Sequence, residues 1–306
     1  MAFLGTLLET FELIVLSLFY SIEALFRLLV PPRSKSVENE TVLITGAGSG
    51  IGRLLSLEFA RLKATLVLWD INEEGNEETA QMSRDQGSPR VHVYKCDCGR
   101  KEDVAQVAAL VKKEVGDVTM LVNNAGIVIG KNFIDTTESE MQKVMDVNIM
   151  AHFWTYKAFL PAMIARNHGH LVSIASAAGF LTVNGFADYC SSKFAAVGFA
   201  ESVALEMIAM KKDGIKTTIV CPSFINTGMF DGYKPQSRML PMLDAKHVAK
   251  KIINAIRRDQ PIIMIPRSVY FLVYMKSWMP KKVSILLAHY TRLFDVMKTF
   301  VGRKYN

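Results

Sequence analysis

TVLITGAGSGIGRLLSLEFARLKATLVLWD, residues 41–70, decides the fold. It opens on a short apolar run, TVLIT, that reads as a buried strand. The chain then breaks at Gly46-Ala47-Gly48-Ser49-Gly50-Ile51-Gly52, continues as a helical run through Leu62, and closes on a second apolar strand, ATLVLWD at 64–70. A strand, a glycine-rich turn, a helix and a second strand make a dinucleotide-binding unit. Glycine permits the tight turn and lets backbone N–H groups approach a pyrophosphate, and the helix N-terminus adds a favourable dipole. Asp70 ends the second strand, where a carboxylate accepts hydrogen bonds from the adenosine ribose hydroxyls and repels a 2′-phosphate. Ile71 and Asn72 follow, and neither is an arginine to hold that phosphate. The expectation is NAD rather than NADP.

Outward from this unit the alternation continues. Strands are expected at 91–95, 118–122, 170–175, 215–220 and 261–265, and helices at 101–115, 138–167 and 188–211. Strands alternating with helices imply an α/β fold: a Rossmann-type, doubly wound, parallel seven-stranded sheet with helices on both faces. No internal repeat or low-complexity tract interrupts it.

The chemistry concentrates after the fifth strand. Tyr189 and Lys193 are four residues apart on a predicted helix, so both project from one face. A free tyrosine holds its proton until about pH 10; a nearby ammonium favours the phenolate, and the pair then serves as a general acid/base near neutrality. Ser176 follows a strand C-terminus, where open α/β sheets build their sites, and its hydroxyl can hold a substrate oxygen beside the tyrosine.

Tyr-x-x-x-Lys alone is common on helices, and its meaning comes from its surroundings. Upstream stand TGAGSGIG, then Asn123-Asn124-Ala125-Gly126, then Asn148; Ser176 lies thirteen residues before YCSSK; Cys221-Pro222-Ser223 follows the sixth strand. Over residues 40–265 the chain resembles the short-chain dehydrogenase/reductase family. The resemblance implies an NAD-dependent alcohol dehydrogenase in which Tyr189 is the acid/base, Lys193 its partner and a nicotinamide-ribose ligand, Ser176 the substrate orienter, and Asn148 the holder of a water in a proton relay. It implies cofactor contacts at Gly46, Ser49, Gly50, Ile51, Gly52, Asp70, Asp97, Asn124, Gly126, Pro222, Ile225 and Thr227, and no metal. Ser223 departs from the family, which has glycine after the proline. The stretches LVLWDIN, WTYKAFLPAMIA, GHLVSIAS, FAAVGFAES and GIKTTIVCP with TGMF are similar to the 16C branch, which holds retinol dehydrogenases and lipid-droplet hydroxysteroid dehydrogenases.

Residues 224–243 form the expected lid, with Phe224 and Phe230 as substrate contacts beside Met229, Tyr233, Met239, Leu240 and Met242. Aromatic and methionine side chains suit an adaptable apolar pocket. With the branch likeness, this points to a lipophilic alcohol: all-trans-retinol first, oxidised to retinal, with a steroid or other long-chain alcohol as the alternative. A catalytically idle scaffold on the same fold is the rival of another class, and the intact Ser176, Tyr189, Lys193 and Asn148 set speaks against it.

The ends carry the apolar surplus of a chain of 306 residues, half of them hydrophobic. Residues 11–30, FELIVLSLFYSIEALFRLLV, are long enough to span a bilayer. Glu9, Glu12, Glu23 and Arg27 fall on one arc with Leu18, Ile22, Leu25, Phe26 and Leu29 opposite, and Glu23 can pair with Arg27 at i, i+4. The segment reads as an anchor, residues 1–36, either spanning or lying in the interface, ahead of a dehydrogenase domain at 37–306. Arg33 and Lys35 just after it place that domain on the cytosolic side, which suits the endoplasmic reticulum membrane and, by branch likeness, lipid droplets. No small-residue cleavage site follows it. The apolar C-terminal stretches SVYFLVYMKSWM and VSILLAHY admit three readings: a second membrane contact, a homodimer face or a flank of substrate entry. The net charge of +7 is scattered, without the basic stripe of a nucleic-acid binder. Cys96, Cys98, Cys190 and Cys221 form no C-x-x-C pair and read as reduced thiols.

Overall fold

A computed structural model describes residues 2–233 and 239–302. The chain divides into two compact units, Met1–Lys35 and Ser36–Asn306. The first is one helix, α1 (Ala2–Leu29), whose stretch Gly5–Arg27 is long and apolar enough to cross a membrane. Large apolar side chains such as Phe11, Leu18 and Ile22 are exposed around it, the pattern of a helix made for lipid rather than water. The expected pair forms on its polar stripe, with Arg27 donating to Glu23 at 2.6 Å.

The second unit runs β1 (Thr41–Thr45), α2 (Gly50–Arg61), β2 (Thr65–Asp70), α3 (Glu73–Asp85), β3 (Val91–Lys95), α4 (Lys101–Glu114) and β4 (Met120–Asn123). It continues with α5 (Glu138–Met145), α6 (Ala151–Arg166), β5 (Gly169–Ile174), α7 (Ala187–Ala209), β6 (Ile215–Pro222), α8 (Ala245–Arg257), β7 (Ile262–Ile265), α9 (Ser268–Trp278) and α10 (Lys281–Tyr290). The seven strands form one sheet in the order β3-β2-β1-β4-β5-β6-β7, and every pairing is parallel. The expected strands all form, with ends shifted by a residue or two: β4 begins at Met120 and β6 runs on through Pro222.

Both faces of the sheet are covered, so the strands are apolar on both sides. Along β1, Val42 and Ile44 enter a core shared with Leu55 and Phe59 of α2 and Ile252 and Ile256 of α8. Leu43 points the other way, into a core with Val104 and Val111 of α4 and Phe159 and Met163 of α6. Each fully buried Leu, Val or Phe here stabilises the fold by about 1.5–3 kcal/mol.

The expected helix at 138–167 is not uniform. Thr137 and Glu140 close a capping box at its start, and a π-helical turn, Asp146–Met150, separates α5 from α6 with Asn148 at its centre. Insertions of this kind concentrate at functional sites. The strand order reverses beside β1, whose neighbours are β2 and β4. Connections leaving β1 and β4 therefore part to opposite faces and open a crevice at the carboxyl ends of the strands.

Candidate active site

A groove of about 870 Å³ occupies that crevice. Gly46, Ser49, Gly50, Ile51, Asp70, Asp97, Asn124, Gly126, Lys193, Pro222, Ile225 and Thr227 all line it. Gly46 turns the chain out of β1 with φ +67°, and a Cβ there would stand 2.9 Å from the Ala125 Cα. The Asn124 amide locks the turn, donating to the carbonyls of Thr45 at 2.9 Å and Gly46 at 3.1 Å. Thr227 folds over from the lid, its Cβ 3.4 Å from where a Gly50 side chain would begin.

Gly52 departs from expectation, because it does not line the groove. A Cβ at Gly52 would lie 2.0 Å from the Gly46 carbonyl oxygen and 2.6 Å from the Asn124 amide, so its place is the close packing of α2 against the turn.

Asp70 is held rigidly at the groove's edge. One carboxylate oxygen accepts from Gly48 N–H at 2.8 Å and the other from Asn72 N–H at 2.9 Å. The cap of α3 is Asn72, whose side chain accepts from Gly75 N–H, which leaves Asp70 to face the groove. Arg53 is committed elsewhere, donating to the carbonyls of Gly48 and Gly75 and to Glu78. Arg100 does line the groove, 3.6 Å from Asp103 in an exposed pair.

These features fit a dinucleotide: a glycine cradle open to the approach of a diphosphate, the N-terminus of α2 beside it, and a fixed carboxylate at the end of β2.

Tyr189 and Lys193 share the inner face of α7 and are both buried. The Lys193 ammonium lies 5.6 Å from the Tyr189 ring centroid and donates to the Ile174 carbonyl at 3.1 Å. Burial lowers its pKa to about 8, partly offset by Cys221. A buried ammonium this poorly solvated favours an adjacent anion, and a phenolate at Tyr189 is such an anion. Ser176 sits at the end of β5, buried, accepting from Ala178 N–H at 3.1 Å and donating to the Pro222 carbonyl at 3.3 Å.

Asn148 comes to the same place from the other side. Its Oδ1 and the Lys193 Nζ lie 3.4 and 3.5 Å from where a Gly126 side chain would begin. Asn148 does not line the groove, however. Its amide accepts from Ile127 N–H at 2.8 Å and donates to the Ile127 carbonyl at 2.9 Å and to the Ser192 hydroxyl at 3.0 Å. The side chain therefore ties the β4 loop to α7 across the π-turn. One helical turn on, His152 is buried and held neutral, its pKa lowered to about 3 by desolvation and by Lys193.

A second cavity, about 320 Å³, meets the groove here. Ser176, Tyr189, Ser223 and Phe230 line both. Beyond them the cavity is walled by Leu181, Val183, Phe186, Phe224, Leu240 and Leu272, and then by α10 and the turn after it through Ile285, Leu287, Ala288, Leu293 and Phe294. Aromatic rings pack edge to face around Tyr189: Phe186 and Phe230 each lie 6.2 Å from it, and Phe224 lies 5.2 Å from Phe230. Ser223, the departure from the family, keeps a buried hydroxyl without a hydrogen-bond partner.

The C-terminal tail closes the roof. Phe300 stacks edge to face on Phe186 at 5.1 Å, Val296 is buried against the same cluster, and Val301 N–H bonds the Asp231 carbonyl of the lid at 2.8 Å. Phe224, Phe230, Met229, Tyr233 and Met242 all join the aromatic core of this region; lid residues 234–238 lie outside the described residues. Phe186, Leu272 and Phe294 are wall residues that motif reading does not reach. For Leu272 and Phe294 the signal in the sequence is the apolar excess after Ile262, which fits all three of its readings equally; Phe186 lies outside that stretch.

The family profile described as short chain dehydrogenase matches residues 40–238. Epidermal retinol dehydrogenase 2 of Mus musculus is 56% identical over 94% of this chain and 94% of its own. Estradiol 17-beta-dehydrogenase 11 of Pongo abelii is 45% identical over 92% of this chain and 93% of its own. Among solved structures, a short chain dehydrogenase/reductase from Burkholderia phymatum in complex with NAD is similar with a TM-score of 0.72 and 25% identity, covering 79% of this chain and 94% of that one.

Proposed function

The chain belongs to the short-chain dehydrogenase family, and from that premise we propose that it oxidises a lipophilic alcohol with NAD, all-trans-retinol to all-trans-retinal before others. The observation that carries this is the meeting of a dinucleotide groove and an apolar cavity at Ser176 and Tyr189. NAD, when bound, supplies the hydride acceptor.

The chain's own residues do the rest. Ser176 and Tyr189 hold the alcohol oxygen at the junction of the two spaces. Tyr189 takes the hydroxyl proton, and Lys193 stabilises the phenolate charge that prepares it. The rings of Phe186, Phe224 and Phe230 exclude water from the reacting carbon and receive the apolar remainder of the substrate. Asn148 is a positioning residue that fixes the Ile127 backbone and α7 relative to each other. Asp70 selects the cofactor without a 2′-phosphate.

A steroid alcohol is the second reading, favoured by the 45% identity to an estradiol dehydrogenase. The test supplies membranes containing the protein with all-trans-retinol and estradiol in parallel, with NAD and with NADP, and separates the products by chromatography. Retinal formed faster than estrone, with NAD, supports the first reading; the reverse order installs the second.

We further place α1 in the endoplasmic reticulum membrane, with lipid droplets as a second residence and the dehydrogenase unit on the cytosolic side, on the strength of Arg33 and Lys35. Protease added to sealed microsomes should degrade that unit without detergent; protection, or a glycan on the Asn39-Glu40-Thr41 acceptor pattern, would reverse the orientation.

A further inference from the structure

The C-terminal helices have two faces. On α9, Val269 and Leu272 are buried, and the helix is pinned to the domain at three points. The Tyr270 hydroxyl bonds the backbone of β7, donating to the Ile262 carbonyl and accepting from Met264 N–H, both at 3.1 Å. The Ser268 hydroxyl donates to the Met239 carbonyl at 2.7 Å. Lys276 donates to the Phe180 carbonyl at 2.6 Å.

The opposite face is therefore fixed in direction, and it is apolar. Phe271, Tyr274 and Trp278 are exposed at i, i+3 and i+7, Trp278 to 86%. On α10, Val283, Leu286 and Tyr290 repeat the pattern, Leu286 to 67% and Tyr290 to 79%. Single exposed apolar residues need no explanation, but two successive stripes do.

Charge says what covers them. From Pro261 to Phe294 the chain has Arg267, Lys276, Lys281, Lys282 and Arg292, and no Asp or Glu. Aromatic and aliphatic side chains flanked by lysines are the composition of a helix lying at the headgroup level of an anionic bilayer. The same elements wall the apolar cavity, with Met279, Lys281, Ser284 and Ile285 on its lining. A helix long and apolar enough to cross a membrane is already part of the chain.

We propose that the exposed face of α9 and α10 docks on the surface of an anionic bilayer and seats the mouth of the cavity there, so that the substrate passes from lipid into the site without crossing water. The choice of passenger rests on the reading of the cavity as an alcohol site; the docking does not.

The chain carries its own reporter. Of three tryptophans, Trp69 is fully buried, Trp154 is half-buried and Trp278 is exposed, and α1 contains none. The full-length protein is reconstituted in vesicles of phosphatidylcholine and phosphatidylserine whose acyl chains carry bromine, a short-range quencher of tryptophan emission. The parent should lose part of its emission, the Trp278→Phe variant should lose none, and the quenching should weaken when phosphatidylserine is omitted. Equal quenching in parent and variant, or none in either, overturns the docking. So does a stable dimer that hides Trp278 from bromine and dissociates on Leu286→Ser/Tyr290→Ser, since the face would then belong to a second copy.

In the kinetic arm, Trp278→Ser/Leu286→Ser/Tyr290→Ser changes residues outside the cavity lining. It should raise KM for vesicle-borne alcohol at least about tenfold, with KM for NAD and the rate on detergent-dispersed alcohol unchanged. If no lipophilic alcohol is turned over at all, the substrate reading falls while the bromine quenching still decides the docking.

Discussion

The cofactor groove and the substrate cavity share four residues and little else in the way they are built. At its glycine end the groove is built from the turn at Gly46–Ile51, the strand ends of β2 and β4, and the N-terminus of α2. The cavity is made by side chains gathered from the loop after β5, the lid, α9, α10 and the tail, from Ser176 to Phe294. A ligand read by backbone demands residue types that few substitutions satisfy: at Gly46, which lines the groove, a Cβ would stand 2.9 Å from the Ala125 Cα. A ligand read by apolar side chains demands bulk and shape, which many sequences supply. The first kind of site is rigid in sequence, and the second is free to change its substrate.

The largest effect should follow from attacking the backbone site. Gly52→Ala drives a methyl into the Gly46 carbonyl and the Asn124 amide, neither of which can move without opening the turn. NAD affinity, measured by titration calorimetry, should fall at least about 100-fold; an unchanged affinity would show that the turn yields and that the contrast is overstated.

Asp70→Ala tests a side-chain contact in the groove. Losing a charge-assisted hydrogen bond to the ribose and the repulsion of a 2′-phosphate should shrink the preference for NAD over NADP about tenfold in kcat/KM. A parent enzyme that prefers NADP would instead assign the decisive role to Arg100.

The cavity should respond more gently. Phe186→Leu keeps most of the volume but removes the edge-to-face contacts with Tyr189, Phe230 and Phe300, each worth about 0.5–1.5 kcal/mol. KM for the lipophilic alcohol should rise about fivefold with the NAD constant unmoved. A matching shift in the NAD constant would mean that the two sites are mechanically one.

The same contrast explains what the sequence made legible. TVLITGAGSGIG and ATLVLWD announce β1, the turn and β2 because a dinucleotide admits so few alternatives there. Tyr189, Lys193 and Ser176 all line the groove. Gly52 was legible as a required glycine but not as a packing residue, since a motif records that a side chain is excluded and not what excludes it. Asn148 was legible as a member of the site, whereas its bonds to Ile127 and Ser192 depend on a π-turn that no periodicity marks. Phe300 over Phe186 brings residues more than a hundred positions apart into contact, and Val296 joins the same cluster as Phe224 of the lid. An apolar tail of this kind looks alike in sequence whether it folds onto its own domain, meets lipid or meets a second copy.

The most direct test of the whole account separates the two spaces at one of the residues they share. In Tyr189→Phe the ring remains, with its packing against Phe186 and Phe230, and only the hydroxyl is lost. Alcohol oxidation should fall by roughly 10²–10⁴, the usual worth of a positioned acid/base, while NAD binds within about twofold of the parent. Near-parental turnover in that variant would contradict the assignment of the chemistry to the junction of groove and cavity.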